Sequence, residues 1–171
     1  MKPIFLGLAL ALVPQFGMAQ TTNSVPVPKL VPAQTQSNDM ISAGNPAHIV
    51  EVMQSLGYRA ELTTDDRGDP KIKSAAGGAN FSVWFYGCSS GKDCEAIQFS
   101  AGFDMENGME MASVNDWNTR KRYGKVYLDD EQDPYIEMDM MVGTGMSRDL
   151  FAENLSLWDR TIADFKDHIN W

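Results

Sequence analysis

Apolar residues recur near the end of the chain with the period of an amphipathic helix. Six of them are spaced three or four residues apart: Phe151, Leu155, Trp158, Ile162, Phe165 and Ile169. Such spacing places side chains along one side of an α-helix, where they form a stripe that packs into a core. Ser147 precedes the segment as an expected N-cap, and Asp149 in the first turn suits the helix dipole. The pattern therefore predicts a long C-terminal helix with one buried side.

Two shorter helices are predicted earlier in the chain. The first begins at Asn45 and Pro46, an N-cap followed by proline at the first helical position, and it ends at Gly57. The second spans 109–120 and ends in the basic run 120–122, whose charges suit a last helical turn. Both have apolar residues at helical spacing: Ile49, Val50, Met53 and Leu56 in the first, and Met111, Val114 and Trp117 in the second.

Two hairpins are predicted from strand-like segments that flank turn-forming residues. In the first, 58–62 and 71–73 lie on either side of the turn 65–70. The small, glycine-rich residues 74–80 that follow are expected to form a loop.

The second of these hairpins joins 125–128 to 135–142 through the acidic turn 129–134. In 135–142, one side is apolar and the other acidic. The apolar side consists of Ile136, Met138, Met140 and Val142, and the acidic side of Glu137 and Asp139.

A further hairpin surrounds the two cysteines of the chain, Cys88 and Cys94. If these residues face each other, one face of the hairpin is apolar, with Phe85 opposite Ile97, Val83 opposite Phe99 and Phe81 opposite Ala101. The other face is more polar, with Trp84 opposite Gln98, Tyr86 opposite Ala96 and Ser82 opposite Ser100. If one strand shifted by one residue, its apolar side chains would lie on the polar face of the hairpin. The alternating pattern and the cysteines therefore support one register.

Together these elements predict an α+β domain over residues 45–171, in which the end helices lie on one face of an antiparallel sheet. The residues before it have a different character. The apolar run 4–13 and the small residues before position 20 indicate a secretory signal peptide over 1–19. Residues 20–44 are polar and contain prolines, which predicts a disordered linker. No later segment is apolar enough to span a bilayer, so we expect a periplasmic or secreted protein without an integral membrane segment.

The charge of the chain limits its partners. The net charge is −9 at pH 7, and loss of Lys2 with the signal peptide would make it more negative. Nucleic acids and anionic membranes attract basic proteins. The acidic balance therefore argues against both classes of partner.

Cys88 and Cys94 could be metal ligands, a redox switch or a disulfide. Five residues separate them, whereas zinc and thioredoxin-type sites usually start from a spacing of two. His48 and His168 are the only histidines that could complete a zinc site. A redox switch would need a basic neighbourhood, for which only Lys92 is at hand. An even number of cysteines, opposed in a hairpin of an exported protein, favours a disulfide.

Two metal hypotheses come from acidic and methionine-rich segments. Asp129, Glu131 and Asp133 alternate as in a calcium-binding loop, but glycine at the sixth position and glutamate at the twelfth are missing, which favours a solvated turn. The methionines within 105–111 and 138–141 offer thioethers that select Cu(I), although methionine also fills irregular cores. We expect no bound cofactor or metal, and copper handling stays open as the alternative function.

Motifs of catalysis are not found in the chain. It contains no G-x-S-x-G, no H-E-x-x-H and no phosphate-binding glycine loop. Neither His48 nor His168 lies in a recognisable triad arrangement. We therefore expect a protein that is not an enzyme, with a small hydrolase that uses one of these histidines as a further alternative.

The stretch from Asn115 to Leu128 resembles the YbjN-domain family, a group of proposed bacterial sensory-transduction regulators. The most specific part is N-x-W-N followed by R-Y-G-K-x-Y-L, and it is supported by Gly57-Tyr58, the turn 66–70 and the residues 145–147. The resemblance implies an α+β fold similar to type III secretion chaperones, small acidic proteins that bind other proteins, often as dimers. It implies no catalytic residues.

These observations predict a non-enzymatic periplasmic module that binds an unknown protein partner, or a second copy of itself as a homodimer, and acts as a regulator or chaperone in sensory transduction or stress. The candidate binding residues are Trp84, Tyr86, Trp117, Asn118, Arg120 and Arg122. For Trp117 a core position is the competing interpretation, because large aromatic residues at helical spacing are usually buried. For the arginines it is a solvated helix end.

Overall fold

The computed structural model of the protein describes residues 40–171. The expected signal peptide and the linker up to residue 39 lie outside the described residues. The helices of the described part are α1 (Pro46–Ser55), α2 (Met111–Arg120) and α3 (Arg148–Ile169). Its strands are β1 (Met40–Ile41), β2 (Ala60–Thr64), β3 (Pro70–Ala76), β4 (Ala79–Tyr86), β5 (Ala96–Gly102), β6 (Lys125–Leu128), β7 (Pro134–Met141) and β8 (Met146–Ser147).

Six of the strands form one antiparallel sheet in the order β2-β3-β4-β5-β7-β6. β1 and β8 pair separately in a two-stranded ladder. The predicted α+β class with an antiparallel sheet is confirmed. Antiparallel sheets can bury one face and leave the other to solvent, and the two faces of this sheet differ accordingly.

The hairpin around the cysteines has the predicted register. Phe85 lies opposite Ile97, and Val83 lies opposite Phe99. Just beyond the paired residues, Cys88 and Cys94 form a disulfide, with their Cα atoms 3.9 Å apart. The disulfide thus closes the tip of the β4–β5 hairpin and holds the register that the alternating pattern selects.

The apolar stripe of α3 packs on the buried face of the sheet. All six stripe residues are at most 6% exposed. The ring of Trp158 lies 5.8 Å from that of Phe81 and 5.7 Å from that of Phe99, between centroids. Phe165 continues the contact toward Phe103, at 5.4 Å. Ser147 caps the helix as predicted, since its Oγ accepts a hydrogen bond from the Leu150 backbone N–H.

The segment 74–80, expected to be a loop, is instead the meeting point of two strands. β3 continues to Ala76, β4 starts at Ala79, and only Gly77 and Gly78 form the turn. Both glycines have positive φ angles, 56° and 74°, which suit a two-residue hairpin turn. A Cβ atom on Gly77 would lie 2.6 Å from the Asp159 carbonyl oxygen of α3. Glycine is therefore favoured here twice, locally by the φ angles of the turn and through the tertiary structure by the nearness of α3.

The start of α1 agrees with the prediction, whereas α2 begins later than predicted. α1 is confirmed: Asn45 accepts a hydrogen bond from the His48 backbone N–H, and Pro46 is its first residue. α2 begins at Met111, two residues later than expected, and the Met111 side chain is 63% exposed. Met111 therefore lies outside the buried stripe of α2, which consists of Val114 and Trp117.

Residues 40–44, predicted to be the end of a disordered linker, are instead part of the folded domain. Met40–Ile41 pairs with β8, and Ile41 and Ala43 are fully buried. No helix among residues 40–171 is long and apolar enough to cross a membrane.

Two leucines of α3 test how strongly the fold depends on its buried stripe. Leu155 is fully buried, whereas Leu150 is 47% exposed. We expect Leu155→Ala to lower the free energy of unfolding by about 2–5 kcal/mol, because it removes transfer free energy and leaves a cavity. The same change at Leu150 should alter it by less than about 0.5 kcal/mol. Urea denaturation measures both values, and similar losses for the two variants would contradict the packing described here.

Candidate functional site on the open face of the sheet

The sheet has a second face, opposite α3, whose residues follow from the strand register. Side chains alternate between the faces along each strand. Ile72, Val83, Phe99 and Met138 lie in one cross-strand row of the buried face, and the adjacent row on the other face is Lys71, Trp84, Gln98 and Asp139. We call this second side the open face. It also contains Lys73, Ser82, Tyr86, Ser100, Lys125, Tyr127, Tyr135, Glu137 and Met141.

Trp84 and Tyr86, two of the candidate binding residues, lie together on the open face. Trp84 is half-buried, and the Lys71 Nζ atom lies 3.6 Å from the centre of its ring. Tyr86 is 47% exposed and donates a hydrogen bond from its hydroxyl to Gln98 Oε1, at 3.1 Å. Their predicted position on the more polar side of the hairpin is confirmed.

A polar network occupies the β5, β6 and β7 part of the open face. Gln98 Nε2 donates to Asp139 Oδ1 at 2.9 Å and to Glu137 Oε2 at 3.3 Å. Lys125 Nζ lies 2.8 Å from the same Glu137 oxygen, and the Tyr127 hydroxyl donates to Glu137 Oε1 at 3.0 Å. The Glu137 carboxylate is therefore compensated by one cation and two neutral donors, whereas the exposed Asp139 accepts a hydrogen bond from Gln98 and forms no ion pair within residues 40–171.

The network shifts the protonation equilibria of the groups around it. Burial raises the pKa of Tyr127 to about 12, helped by its hydrogen bond to Glu137 and by that negative charge. Burial also raises the pKa of Tyr86, with Glu137 and Asp139 adding to the effect. The hydrogen bond to Glu137 raises the pKa of Lys125. Both tyrosines are thus held neutral and the lysine charged over the physiological range.

A concave site that we call the trough extends across the open face from β3 and β4 to Ser100 of β5 and Tyr135 of β7. Its volume is about 460 Å³, and its walls include Arg59, Lys71, Lys73, Trp84, Ser100 and Tyr135. Arg59 donates to Asn80 Oδ1 at 2.9 Å. Three of the wall residues are cations: Arg59, Lys71 and Lys73. Within residues 40–171, no carboxylate oxygen lies within 4.0 Å of their side-chain nitrogens.

The sequence prediction missed the three cations of the trough. The signal that could have found them is the alternation Lys71-Ile72-Lys73, which places both ammonium groups on one face of a strand. Whether these cations have ion-pair partners depends on the tertiary structure, so a local sequence pattern cannot predict it.

Trp117, a third candidate binding residue, belongs to the core. It is 1% exposed, its ring centre lies 4.9 Å from that of Phe165, and its Nε1 donates to the Gly124 carbonyl oxygen at 2.8 Å. Gly124 has a φ of 80°, and a Cβ atom there would lie 2.7 Å from Ile136 Cδ1. Trp117 therefore cannot present its ring to a partner, and the competing core interpretation describes its position.

Asn118 is also used inside the molecule. Its Nδ2 donates to the Val126 carbonyl oxygen and its Oδ1 accepts from the Val126 N–H, each at 3.0 Å. Val126 lies on β6, an edge strand of the sheet. The side-chain amide thus takes the place of a peptide group of a further strand and satisfies both backbone groups of Val126, while Trp117 binds the carbonyl oxygen of Gly124, just before β6. Asn118 therefore lies at the β6 edge of the sheet and is not part of the open face.

The basic residues after α2 lie away from the open face and are partly paired. Arg120 forms an ion pair with Asp116 at 2.8 Å, and Lys121 forms one with Asp164 of α3 at 2.8 Å. Arg122 is exposed, with its guanidinium 5.6 Å from the centre of the Tyr123 ring. The structure therefore separates the candidate binding residues into the open-face pair Trp84 and Tyr86 and a group around the end of α2.

The two histidines, considered for a hydrolase, lie on different helices. His168 Nε2 is 3.1 Å from both Ser113 Oγ and the Ser113 carbonyl oxygen. The Ser113 backbone and hydroxyl thus both lie at hydrogen-bond distance from this ring nitrogen, and no carboxylate forms an ion pair with His168 within residues 40–171. On α1, the Nδ1 atom of His48 lies 3.7 Å from the Oε2 atom of Glu51. These contacts give the hydrolase alternative no support.

The methionines of the copper alternative do not point to a common site. Met138 and Met140 are buried in the core, whereas Met141 is 77% exposed on the opposite face. Met109 is buried and Met111 exposed. No group of three histidine, cysteine or acidic side chains suited to hold a metal ion occurs among residues 40–171, and the disulfide engages both cysteines.

With this geometry established, comparisons with known proteins assign the chain to a family. A family model described as "Putative bacterial sensory transduction regulator", YbjN, matches residues 45–171. The chain belongs to the YbjN family. The match spans all three helices and every strand of the YbjN sheet. A search of curated proteins finds no match to the chain.

The edge of the YbjN sheet offers a test of the role of Asn118. We expect Asn118→Ala to lower the free energy of unfolding by about 1–2 kcal/mol, because the polar backbone groups of the buried Val126 lose their partners. Asn115 is the matched control, since it lies on the same helix and its side chain makes no hydrogen bond within residues 40–171. Asn115→Ala should be neutral or slightly stabilising, because alanine favours helix. Equal effects in denaturation experiments would contradict the edge contact.

The pH dependence of Tyr127 tests the polar network. Its pKa in the folded protein, about 12, is above the ordinary value of 10.0, so the folded state favours the protonated phenol. This contribution to stability is fully present below pH 10 and is lost as the pH rises toward 12. Absorbance titration should show a tyrosinate transition near pH 12 that is absent in Tyr127→Phe. Glu137→Gln should move that transition to lower pH, and a Tyr127 transition unchanged by Glu137→Gln would contradict the network.

Proposed function

We propose that this protein is a non-enzymatic, periplasmic binding module that regulates or chaperones a partner protein through its open face. The observation that carries the proposal is the contrast between the two faces of the sheet. One face is buried beneath α3, while the other exposes Tyr86, Tyr127 and Met141 beside the half-buried Trp84. Aromatic residues and methionine are enriched in protein interfaces, and a cluster of them on one uncovered surface fits a docking role.

The family description supports a regulatory role for that surface, since a regulator acts by contact with other molecules. The polar network supports it physically. Because Gln98 and Lys125 both bind Glu137, a partner that covers Glu137 would not leave that charge unpaired. The face therefore combines apolar contact area with a carboxylate that is already compensated.

The proposed periplasmic location rests on two independent features. The first is the expected signal peptide over 1–19. The second is the Cys88–Cys94 disulfide, because disulfides persist in oxidising compartments and are rare in the cytosol.

A pair of tyrosines with nearly equal exposure provides the test. Tyr86 is 47% exposed on the open face, and Tyr123 is 46% exposed beside α3. Tagged protein with its native leader is expressed, its presence in the periplasmic fraction is checked, and partners are crosslinked and captured from that fraction. We expect Tyr86→Ala to reduce recovery of the captured partner at least about fivefold, the effect of 1 kcal/mol or more, while Tyr123→Ala retains it.

Both variants should unfold within a few degrees of the native protein, which thermal denaturation checks. Sedimentation of the purified protein identifies the case in which the partner is a second copy of the chain. Equal recovery with the two variants, or a monomer that captures nothing above background, would overturn the proposal.

A further inference from the structure

The trough gathers three cations of this acidic protein around one concavity, and none of the three forms an ion pair within residues 40–171. Arg59, Lys71 and Lys73 surround one concavity of about 460 Å³. The Trp84 ring attracts the Lys71 ammonium, but an aromatic face supplies no oxygen to accept the ammonium hydrogen bonds. Glu61 lies opposite Lys73 on β2, yet their charged atoms are more than 4.0 Å apart. The trough therefore contains donors that lack an anionic acceptor within the part of the chain that the structure describes.

We propose that the trough binds an acidic, extended segment of the partner protein, with carboxylates at alternate positions paired to Lys71 and Lys73 and a third near Arg59. This inference rests on the proposed function and specifies the chemistry of the partner. Charge complementarity favours this occupant, because hydrogen bonds from ammonium and guanidinium groups to carboxylates are about twice as strong as those between neutral groups.

The spacing of the two lysines explains why the segment is extended. Lys71 and Lys73 are two residues apart on β3 and share one face. Alternate residues of a strand are about 6.6 Å apart, which is also the distance between alternate residues of an extended peptide. A peptide lying along β3 can therefore match one carboxylate to each ammonium without bending. Ser82 and Trp84, the cross-strand neighbours on β4, would line its other side.

The net charge of −9 repels an acidic ligand, but the repulsion acts mainly from beyond the trough. At physiological ionic strength, interactions between exposed charges are largely screened beyond about 8 Å. The open face has three carboxylates: Glu61 on β2, opposite Lys73, and Glu137 and Asp139 on β7, three strands from β3. Lys125 compensates Glu137. At the trough, three cations outnumber the one neighbouring carboxylate, so local attraction decides the sign of the interaction.

Fluorescence polarisation with labelled nonapeptides tests the proposal. The probe alternates glutamate and threonine, and two comparison peptides carry glutamine for glutamate or group the glutamates consecutively. We expect the alternating glutamate peptide to bind at least about fivefold more tightly than the glutamine peptide, and more tightly than the grouped one. No preference for the glutamate peptide would overturn the proposal.

Matched lysine variants locate the binding site. Lys73→Gln removes a trough cation that does not contact Trp84, and Lys92→Gln removes an exposed lysine at the cysteine hairpin. We expect Lys73→Gln to weaken peptide binding about threefold to fivefold and the double change with Lys71→Gln to weaken it further, while Lys92→Gln leaves it unchanged. Equal weakening by Lys73→Gln and Lys92→Gln would overturn the assignment to the trough.

Free glutamate and citrate, added as competitors, distinguish a peptide site from a site for small anions. Displacement of the peptide by millimolar citrate with no dependence on glutamate spacing would overturn the peptide proposal. The captured partner separates this inference from the proposed function. If the Lys71→Gln/Lys73→Gln protein still captures the partner that Tyr86→Ala loses, the acidic-segment proposal fails and the proposed function stands. If the peptide binds but no partner is captured, the proposed function fails and the trough assignment stands.

Discussion

The packing of α3 on the sheet is the contact on which the rest of the molecule depends. Trp158 lies against Phe81 and Phe99, which belong to neighbouring strands, so one side chain ties the helix to two strands. Full burial of a large apolar side chain is favourable by about 1.5–3 kcal/mol, and α3 contributes six such residues. The same contact sets the functional geometry. Because α3 covers one face, the other is free to hold a polar network and a cationic trough.

The segment that carries the family resemblance mainly has an architectural role in this chain. Trp117 donates to the Gly124 carbonyl oxygen, and Asn118 exchanges two hydrogen bonds with Val126. Both residues connect α2 to β6, and neither lies on the open face. The surface that we propose to bind a partner includes Lys125 and Tyr127 of this stretch, on β6, and otherwise comes from other strands. Trp117 and Asn118, which belong to the most specific part of the resemblance, are thus separate from the proposed binding surface.

The sequence predicts most of the fold because the dominant patterns are periodic. The alternation around Cys88 and Cys94 is sufficient for the β4–β5 register, and the spacing of Phe151 to Ile169 is sufficient for α3. The β3–β4 turn is missed because the small residues on either side of Gly77-Gly78 indicate a loop, although a Gly-Gly pair suits a two-residue hairpin turn. The nearness of α3 to Gly77 adds a tertiary requirement. In the candidate site, Trp84 and Tyr86 follow from alternation. The roles of Asn118 and Lys73 do not, since each depends on which residues of distant segments come within hydrogen-bond distance.

The contact between α2 and β6 also gives the sheet two unequal ends. At the β6 end, the outward-facing groups of Gly124 and Val126 are engaged by side chains of α2. At the β2 end, Gln54 donates to the Ala60 carbonyl oxygen, and Leu62 remains 46% exposed. Open-ended growth into a fibre by strand addition requires two available sheet edges in every copy. If two copies were joined through β2, each would keep only the β6 edge that α2 engages, so growth by strand addition would stop at a pair instead of continuing into a fibre.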